Sequence, residues 1–380
     1  MSKRIVGIDV ARSLAILLVT WKHSMASFGA RGQLEGVANI GLELLMQLAT
    51  PIFLILFGAM LELVYRPRFE AGRAVETSRR LYRRALQCYG YYALAIVVFF
   101  LVMGTYSLKA LPLVFTGFIS VPYSHLLAFY TAALALSPWL LALRSRGGLF
   151  PIVSVALLIH LAHPLMNQLP QAPLLFGRDY LQHMSGFLYG QGVDFIGPSL
   201  IHGLSLVIIG MLFGAGLRPS NHVAVIKGFS PVVSLWIAGG ASLVIAVCWN
   251  WSSPQSTLEA LLGATLRIES HPLYFSVGVL GALAMTWFFI VTHDLRGMRF
   301  GYPILVFGRR SLFAFGVGNI LSYIAPNSLT QVFGLWGSVL ALFLTVCILT
   351  MIYDQCTEYN SRDGYRVTIR RLANRLMTVF

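Results

Sequence analysis

The first apolar stretch of the chain contains an arginine and a histidine whose spacing places them on one face of a helix. Arg12 and His23 are eleven positions apart, which corresponds to about 20° around a helix and about 16 Å along its axis. Asp9 lies about one turn before Arg12 on the same face and can pair with its guanidinium. The pattern predicts a fixed cation at one depth of a helix and a titratable base at another.

Ionisable side chains are costly inside a membrane helix, so by default they face a protein interior or a wet cavity. A substrate with anionic groups near Arg12 would place its reactive end beside His23, and Glu43 is a candidate proton partner for that histidine. The alternative interpretation is structural. Arg12 then belongs to a packing ion pair with Asp9, His23 is a polar residue at the membrane interface, and Glu43 is simply solvated.

Most of the chain must lie in lipid, because it has too few polar residues for a soluble domain. Hydrophobic residues make up 57% of the 380 residues and charged residues 11%, against roughly 25% charged in soluble domains. The apolar runs are about 20 residues long and do not alternate, which is typical of transmembrane helices. We therefore predict an all-α, polytopic transmembrane bundle of about ten helices. The predicted spans are 8–30, 40–65, 85–104, 122–143, 149–168, 197–217, 231–250, 272–293, 301–324 and 331–353.

The positions of the basic residues predict the orientation of this bundle. With the N-terminus inside, 22 of the 28 lysines and arginines fall on inner loops or tails, as expected of cytoplasmic segments. We therefore predict a multi-pass protein of the bacterial inner membrane with both termini in the cytoplasm. The same distribution accounts for the net charge of +14 without nucleic acid as a partner.

These spans and loops predict one transmembrane domain over 1–353 and a basic cytoplasmic tail over 354–380.

The remaining sequence features predict neither a cleaved signal peptide nor a metal site. The first apolar run is interrupted by charges and lacks a convincing signal-peptide cleavage site. Four scattered cysteines predict neither a disulfide framework nor a metal site. His160 and His163 share a helical face, but neither a carboxylate nor a cysteine accompanies them as a further metal ligand. The aromatic and acidic residues of the predicted outer loop 169–196 suit either sugar binding or an interfacial belt.

Five short motifs occur in order along the chain. They are Asp9 with Arg12 and His23, Phe53-Leu-Ile-Leu-Phe57-Gly58, Arg80-Leu-Tyr-Arg83, Pro122-Tyr-Ser-His125-Leu-Leu-Ala-Phe129-Tyr130 and Gly308-Arg309-Arg310-Ser311-Leu312-Phe313. In this order they resemble the acyltransferase 3 superfamily of membrane acyltransferases, including its relatives that succinylate periplasmic glucans. Two positions depart from that pattern. Ser13 follows Arg12 where the family has glycine, and Phe57 stands where the family has serine.

The resemblance implies a cytoplasmic acyl-thioester donor and an acceptor hydroxyl on the outer side of the membrane. The donor would be acyl-CoA, either acetyl-CoA or succinyl-CoA, acting as a co-substrate, and no permanently bound cofactor or metal is expected. Because arginine forks bind phosphate groups bidentately, basic residues at the predicted inner mouth are the candidates for donor binding. These candidates are Arg80, Arg83, Arg84, Arg309 and Arg310, together with Ser311 of the last motif.

Acyl transfer also needs a base for the hydroxyl proton and a group that stabilises the oxyanion. A neutral imidazole suits the first task near pH 7, so His23 is the predicted general base. For the oxyanion the candidates are Lys22, His125 and Tyr123, which the sequence does not rank. The predicted catalytic set is completed by Arg12, Asp9 and Glu43.

The predicted function is an integral membrane O-acyltransferase that modifies a glycan or glycolipid, such as an exopolysaccharide, a periplasmic glucan or a lipid-linked sugar. Its expected partners are membrane lipid, acyl-CoA, the carbohydrate acceptor and a polysaccharide synthase complex. Two other classes remain open. One is a secondary transporter or exporter that uses the intramembrane arginine and histidine for substrate or proton binding, and the other is a non-catalytic scaffold of a polysaccharide synthase.

Overall fold

The chain is all-helical in a computed structural model, which describes residues 5–31, 33, 36–104, 111–116, 121–174, 179–190, 197, 199–218, 231–325 and 328–362. Within these ranges there is no β-strand, and the predicted all-α fold class is confirmed. Seventeen α-helices are numbered here in chain order. They are α1 Val6–Ser27, α2 Gly36–Met60, α3 Arg66–Glu70, α4 Ala74–Met103, α5 Leu111–Phe115, α6 His125–Gly147, α7 Phe150–Leu161, α8 His163–Met166, α9 Tyr180–Tyr189, α10 Leu200–Gly216, α11 Pro231–Cys248, α12 Pro254–Leu262, α13 Thr265–Ile268, α14 Pro272–Phe289, α15 Tyr302–Arg309, α16 Ser311–Ile324 and α17 Leu329–Arg362. Two π-helical turns, Leu61–Tyr65 and Ile290–Leu295, extend α2 and α14.

Several helices of the described chain are long and apolar enough to cross a membrane, which indicates a membrane protein. Five pass by length and composition, and a sixth is added if α15 and α16, which meet at an 85° bend, count as one span. The five are Asn39–Glu70, Ala74–Met103, His125–Gly147, Pro272–Leu295 and Leu329–Thr357. Three shorter apolar helices are Phe150–Leu161, Leu200–Gly216 and Val232–Cys248. The count of about ten spans and the cytoplasmic termini therefore stay predictions.

Two predicted segments fall partly outside the described residues. Of the loop 169–196, residues 175–178 and 191–196 are not described, and α9 lies between them. Of the tail 354–380, residues 363–380 are not described, and the preceding residues continue α17 without a break.

Helix α1 lies inside the bundle and packs against α2, α14, α15, α16 and α17. Its first turn is fixed by a carboxylate, because the backbone amides of Val6 and Gly7 donate to the two oxygens of Asp294 at 3.0 and 2.7 Å. A carboxylate at a helix N-terminus satisfies unpaired amides and complements the helix dipole. A Cβ on Gly7 would lie 2.5 Å from the backbone nitrogen of Ile290. The start of α1 is therefore held in backbone contact with the second π-helical turn.

Helix α15 makes a second close contact with α1. A Cβ on Gly308 would lie 2.2 Å from the carbonyl oxygen of Asp9, so only glycine fits there. The hydroxyl of Ser13 accepts from the Gly308 amide at 2.7 Å and donates to the Asp9 carbonyl at 2.9 Å. This contact places Arg12 beside the bend between α15 and α16.

Small residues and a buried ion pair hold α2 in place. A Cβ on Gly58 would lie 1.8 Å from the carbonyl oxygen of Val207 in α10, and such close approach is how helices gain packing energy in lipid. At the end of α2, the fully buried carboxylate of Glu62 pairs with Arg66 and, at 3.0 and 3.2 Å, with Arg144. A buried carboxylate needs such partners, so these two arginines have a structural role in addition to the predicted topological one.

Candidate active site

A cavity of about 570 Å³ lies beside the first half of α1 and is called here the Arg12 cavity. Its walls come from α1, α2, α4, α6, the α15–α16 bend and α17. Five of the predicted site residues line it: Arg12, Arg84, Arg309, Arg310 and Ser311. Residues from three parts of the chain that are distant in sequence, α1, α4 and the α15–α16 bend, thus converge on one space rich in guanidinium groups.

Two further arginines predicted for donor binding, Arg80 and Arg83, do not line this cavity. Both are exposed on α4. Arg80 lies one turn before Arg84 and about 40° from it around the helix, so it flanks the mouth of the cavity. Arg83 is about 100° away from Arg84 on the helix surface and faces elsewhere.

Arg12 keeps part of its guanidinium open to the cavity. Its Nη1 lies 3.6 Å from a carboxylate oxygen of Asp9 and 3.4 Å from the carbonyl oxygen of Gly308. The side chain is 19% exposed, although α1 is an interior helix. The local pair expected at i,i+3 spacing is therefore present, and the cation also faces an open space.

Arg309 and Arg310 are held by an acidic residue that the sequence analysis assigned to the tail. Asp354 of α17 is 1% exposed, and it accepts from Arg310 Nε at 2.7 Å, from Arg309 Nη2 at 3.2 Å and from the Tyr302 hydroxyl at 2.7 Å. Arg310 also lies over the ring of Tyr353 at 5.6 Å, a cation–π contact. An acidic residue directly after the long apolar run of α17 was the available signal for Asp354.

Aromatic rings and aliphatic side chains form the remaining walls of the cavity. The Tyr130 hydroxyl donates to the Phe53 carbonyl at 3.0 Å, and its ring meets Phe57 edge to face at 5.4 Å between centroids. Phe315 is 6% exposed and closes the cavity toward the C-terminal end of α1, with its ring 5.8 Å from that of His23. Phe315 thus borders the Arg12 cavity and also contacts His23.

The imidazole of His23 is oriented by a residue that the sequence analysis missed. Its Nδ1 lies 2.9 Å from Oδ1 of Asn319, and Nδ2 of Asn319 donates to the Tyr123 carbonyl at 3.0 Å. That second bond fixes the orientation of the Asn319 amide. Oδ1 of Asn319 is therefore the acceptor, and Nδ1 of His23 carries the proton. No described residue hydrogen-bonds Nε2, whose lone pair is then available as a base.

Backbone strain supports the same arrangement. Tyr123 has φ +63°, a left-handed conformation that is uncommon for a bulky residue and costs free energy. The strained residue presents its carbonyl to Asn319 and its ring to His23, with 4.8 Å between the ring centroids. Three distant segments therefore cooperate to position one imidazole.

A group of charged and titratable side chains surrounds His23 and is called here the His23 cluster. It consists of Lys22, His23, Arg31, Glu43, His125 and Arg267, whose charges lie within electrostatic range of one another. Glu43 is 6% exposed and forms a two-point ion pair with Arg31 at 3.0 and 3.3 Å. The predicted proton partner of His23 is thus engaged with an arginine. Arg267, on the short helix α13, was not predicted. Burial lowers the pKa of its guanidinium, which nonetheless remains charged at neutral pH.

Sequence comparison with known families adds one finding. Residues 4–121 match the family model described as OpgC protein. OpgC is an osmoregulated periplasmic glucan acyltransferase, and the match supports a membrane acyltransferase-related family. No curated protein matches the chain.

The OpgC match covers the part of the chain that carries Asp9, Arg12, His23, Glu43 and the arginines of α4. The groups that complete the site, Asn319 and the Arg309–Arg310 pair, lie beyond it. The match therefore supports a relation to this membrane acyltransferase family for the N-terminal part of the chain. The resemblance to the wider acyltransferase 3 superfamily stays a prediction.

Proposed function

We propose that the protein is a membrane O-acyltransferase that moves an acyl group from an acyl-CoA-type thioester to a hydroxyl of a glycan or glycolipid. The observation that carries the proposal is the arrangement of α1. One buried helix presents Arg12 to a cationic cavity and, about 16 Å further along its axis, presents the unprotonated nitrogen of His23. The OpgC match independently supports acyl transfer.

The Arg12 cavity is the proposed donor site. Its volume, about 570 Å³, falls in the range of roughly 300–1,000 Å³ typical of small-molecule pockets. Arginine forks suit the phosphates of a coenzyme A group, and the N-terminus of α16 at Ser311 adds backbone amides that favour anions. From there the acyl arm would extend along α1 past Phe315, whose ring must turn aside for the thioester to reach His23.

The chemistry at His23 is a direct transfer. Nε2 takes the proton of the acceptor hydroxyl as its oxygen attacks the thioester carbonyl, and the carbon–oxygen bond forms. The negative charge on the tetrahedral oxyanion needs a hydrogen-bond donor beside His23, and the predicted candidates Tyr123 and His125 would supply it. Collapse breaks the carbon–sulfur bond, and the proton held on the imidazole passes to the departing thiolate.

One observation favours a second candidate function, an exporter of a glycan or lipid-linked intermediate. The α15–α16 pair is bent by 85° at Arg310, and broken helices whose half-helix ends bind substrate or ions are typical of transporters. An exporter would not consume the donor. Thioester cleavage therefore distinguishes the two functions.

The test uses purified protein in lipid nanodiscs with acetyl-CoA or succinyl-CoA and a soluble glucan acceptor. Free thiol release and acylated glucan are measured for wild type and His23→Ala, with His160→Gln as a matched histidine variant on α7. We expect His23→Ala to lose transfer while it still binds the donor, and His160→Gln to keep transfer. Equal turnover by His23→Ala and wild type would show that the catalytic assignment is wrong.

A further inference from the structure

Three cations surround one carboxylate in the His23 cluster. Lys22, Arg31 and Arg267 all lie within electrostatic range of Glu43, and only Arg31 forms an ion pair with it at 4 Å or less. Because Glu43 pairs with Arg31, Lys22 and Arg267 are left without a carboxylate partner among the described residues. Unpaired charges in the interior of a membrane protein are costly and by default mark a functional site.

Lys22 is the more buried of the two uncompensated cations. Its side chain belongs to a residue that is 9% exposed, at the end of α1 that packs against α2. Within the described ranges, no carboxylate lies within ion-pair distance of its ammonium group. Lys22 directly precedes His23, so an anion bound to it would lie next to the proposed base.

Arg267 lies in the His23 cluster, on a short helix between two strained residues. Ala264 and Ser270, three positions before and after it, have φ +70° and +53°, left-handed conformations that cost free energy for residues other than glycine. Its Nη1 reaches Oε1 of Gln47 at 3.5 Å, one turn beyond Glu43 on α2, and its guanidinium also interacts with the side chain of Tyr274. Its Nε is nonetheless buried without a hydrogen bond of ordinary geometry among the described residues. A strained turn that buries an incompletely bonded guanidinium indicates a site built for a ligand that supplies acceptor oxygens.

The geometry points to an anionic acceptor: Lys22 and Arg267 bind a phosphate or carboxylate group that the acceptor carries near the hydroxyl to be acylated. This inference rests on the proposed function and narrows its acceptor to charged glycans or phospholipid-linked sugars, as opposed to neutral polysaccharides. The anion completes the bonding of Arg267 and gives both cations a partner. It also places the acceptor hydroxyl against Nε2 of His23.

The test compares two acceptors that differ in one anionic group. They are a neutral gluco-oligosaccharide and the same oligosaccharide with a single phosphate, both used with acetyl-CoA so that the transferred group has no charge. We expect wild type to prefer the phosphorylated acceptor about tenfold or more in kcat/KM, as a charge-assisted contact provides. Arg267→Gln and Lys22→Met should each reduce that preference, mainly through the acceptor KM, and leave the donor KM unchanged.

Controls separate this inference from a structural role and from failure of the proposed function. Arg267→Lys keeps the charge and should retain part of the preference, and Arg146→Gln, an exposed arginine on α6, should leave it intact. Binding of both oligosaccharides without donor is measured by calorimetry, so the inference is tested even if no acyl transfer is detected. Equal binding of the two by wild type would overturn it.

A second comparison tests whether the anion bound by Lys22 and Arg267 belongs to the acceptor or to the transferred acyl group. With the neutral oligosaccharide as acceptor, succinyl-CoA and acetyl-CoA are compared in wild type and Arg267→Gln. We expect Arg267→Gln to affect the two donors equally. A selective loss of succinyl transfer, together with no preference for the phosphorylated acceptor, would assign the cations to the acyl group and overturn the inference.

Discussion

Replacement of Asn319 by leucine tests how His23 is held in its reactive form. The wild-type side chain is fully buried, and its Oδ1 accepts from the Nδ1–H of His23 at 2.9 Å. Leucine has a similar volume but cannot accept a hydrogen bond. The imidazole must then either keep a buried Nδ1–H without a hydrogen-bond partner or carry its proton on Nε2. In the second case Nε2 can no longer act as the base.

The expected loss of activity follows from the cost of these two states of the imidazole. Leaving a buried donor without a partner costs about 1–3 kcal/mol, and each 1.4 kcal/mol corresponds to about a tenfold change in rate. We therefore expect Asn319→Leu to lower kcat by about 10- to 100-fold. The donor KM should stay close to the wild-type value, because Asn319 does not line the Arg12 cavity.

The assay is steady-state acyl transfer with donor and acceptor varied separately, alongside thermal unfolding of each variant. Ser322→Ala is the matched control. Ser322 lies one turn after Asn319 on α16, is 6% exposed, and donates only to the Gly318 carbonyl among the described residues. If Asn319→Leu kept the wild-type kcat while His23→Ala was inactive, the tautomer assigned to His23 would be refuted. A parallel loss in both α16 variants would point to general destabilisation.

Three further predictions concern the Arg12 cavity. Phe315→Ala should open the cavity toward His23 and raise donor hydrolysis relative to transfer, measured as free thiol released per acylated product; an unchanged ratio would mean that Phe315 is not the barrier. Arg84→Gln should raise the donor KM more than Arg83→Gln does, because only Arg84 lines the cavity; equal effects would indicate that only the overall charge of α4 matters. Gly308→Ala should lower the melting temperature and the activity, because its Cβ would lie 2.2 Å from the Asp9 carbonyl and overpacking costs about 1–3 kcal/mol; wild-type stability would show that α15 moves freely against α1.

The parts of the site that the sequence predicts are local. Asp9, Arg12 and His23 lie on one continuous helix, Val6–Ser27, so helical periodicity alone gives their shared face and their separation. The motif resemblance further selected Arg309, Arg310 and Ser311, which the structure brings to the same cavity as Arg12. Periodicity could not show that convergence, because it depends on how distant helices pack.

The missed residues act over long sequence distances. Asn319 is 296 positions from His23, and Arg267 is 220 positions from Gln47, so neither pairing has a periodic signal. For Glu43 the sequence left open a role as proton partner of His23 or simple solvation, whereas the structure pairs it with Arg31.

The single predicted span 301–324 is two helices in the structure, bent by 85° between Arg309 and Ser311. The two adjacent arginines within that apolar run were the signal of a break. Charged side chains at that depth need partners, and the bend brings both to Asp354 of α17.

In the proposed mechanism, one donor molecule spans the distance from the Arg12 cavity to His23. An experimental structure of the protein with a non-hydrolysable acyl-CoA analogue tests this most directly. We expect phosphates against Arg84, Arg309 or Arg310, and a thioester carbonyl beside Nε2 of His23 with the Phe315 ring turned aside. Phosphates bound elsewhere, or an acyl arm that leaves the bundle toward lipid while Phe315 still closes the cavity, would contradict it.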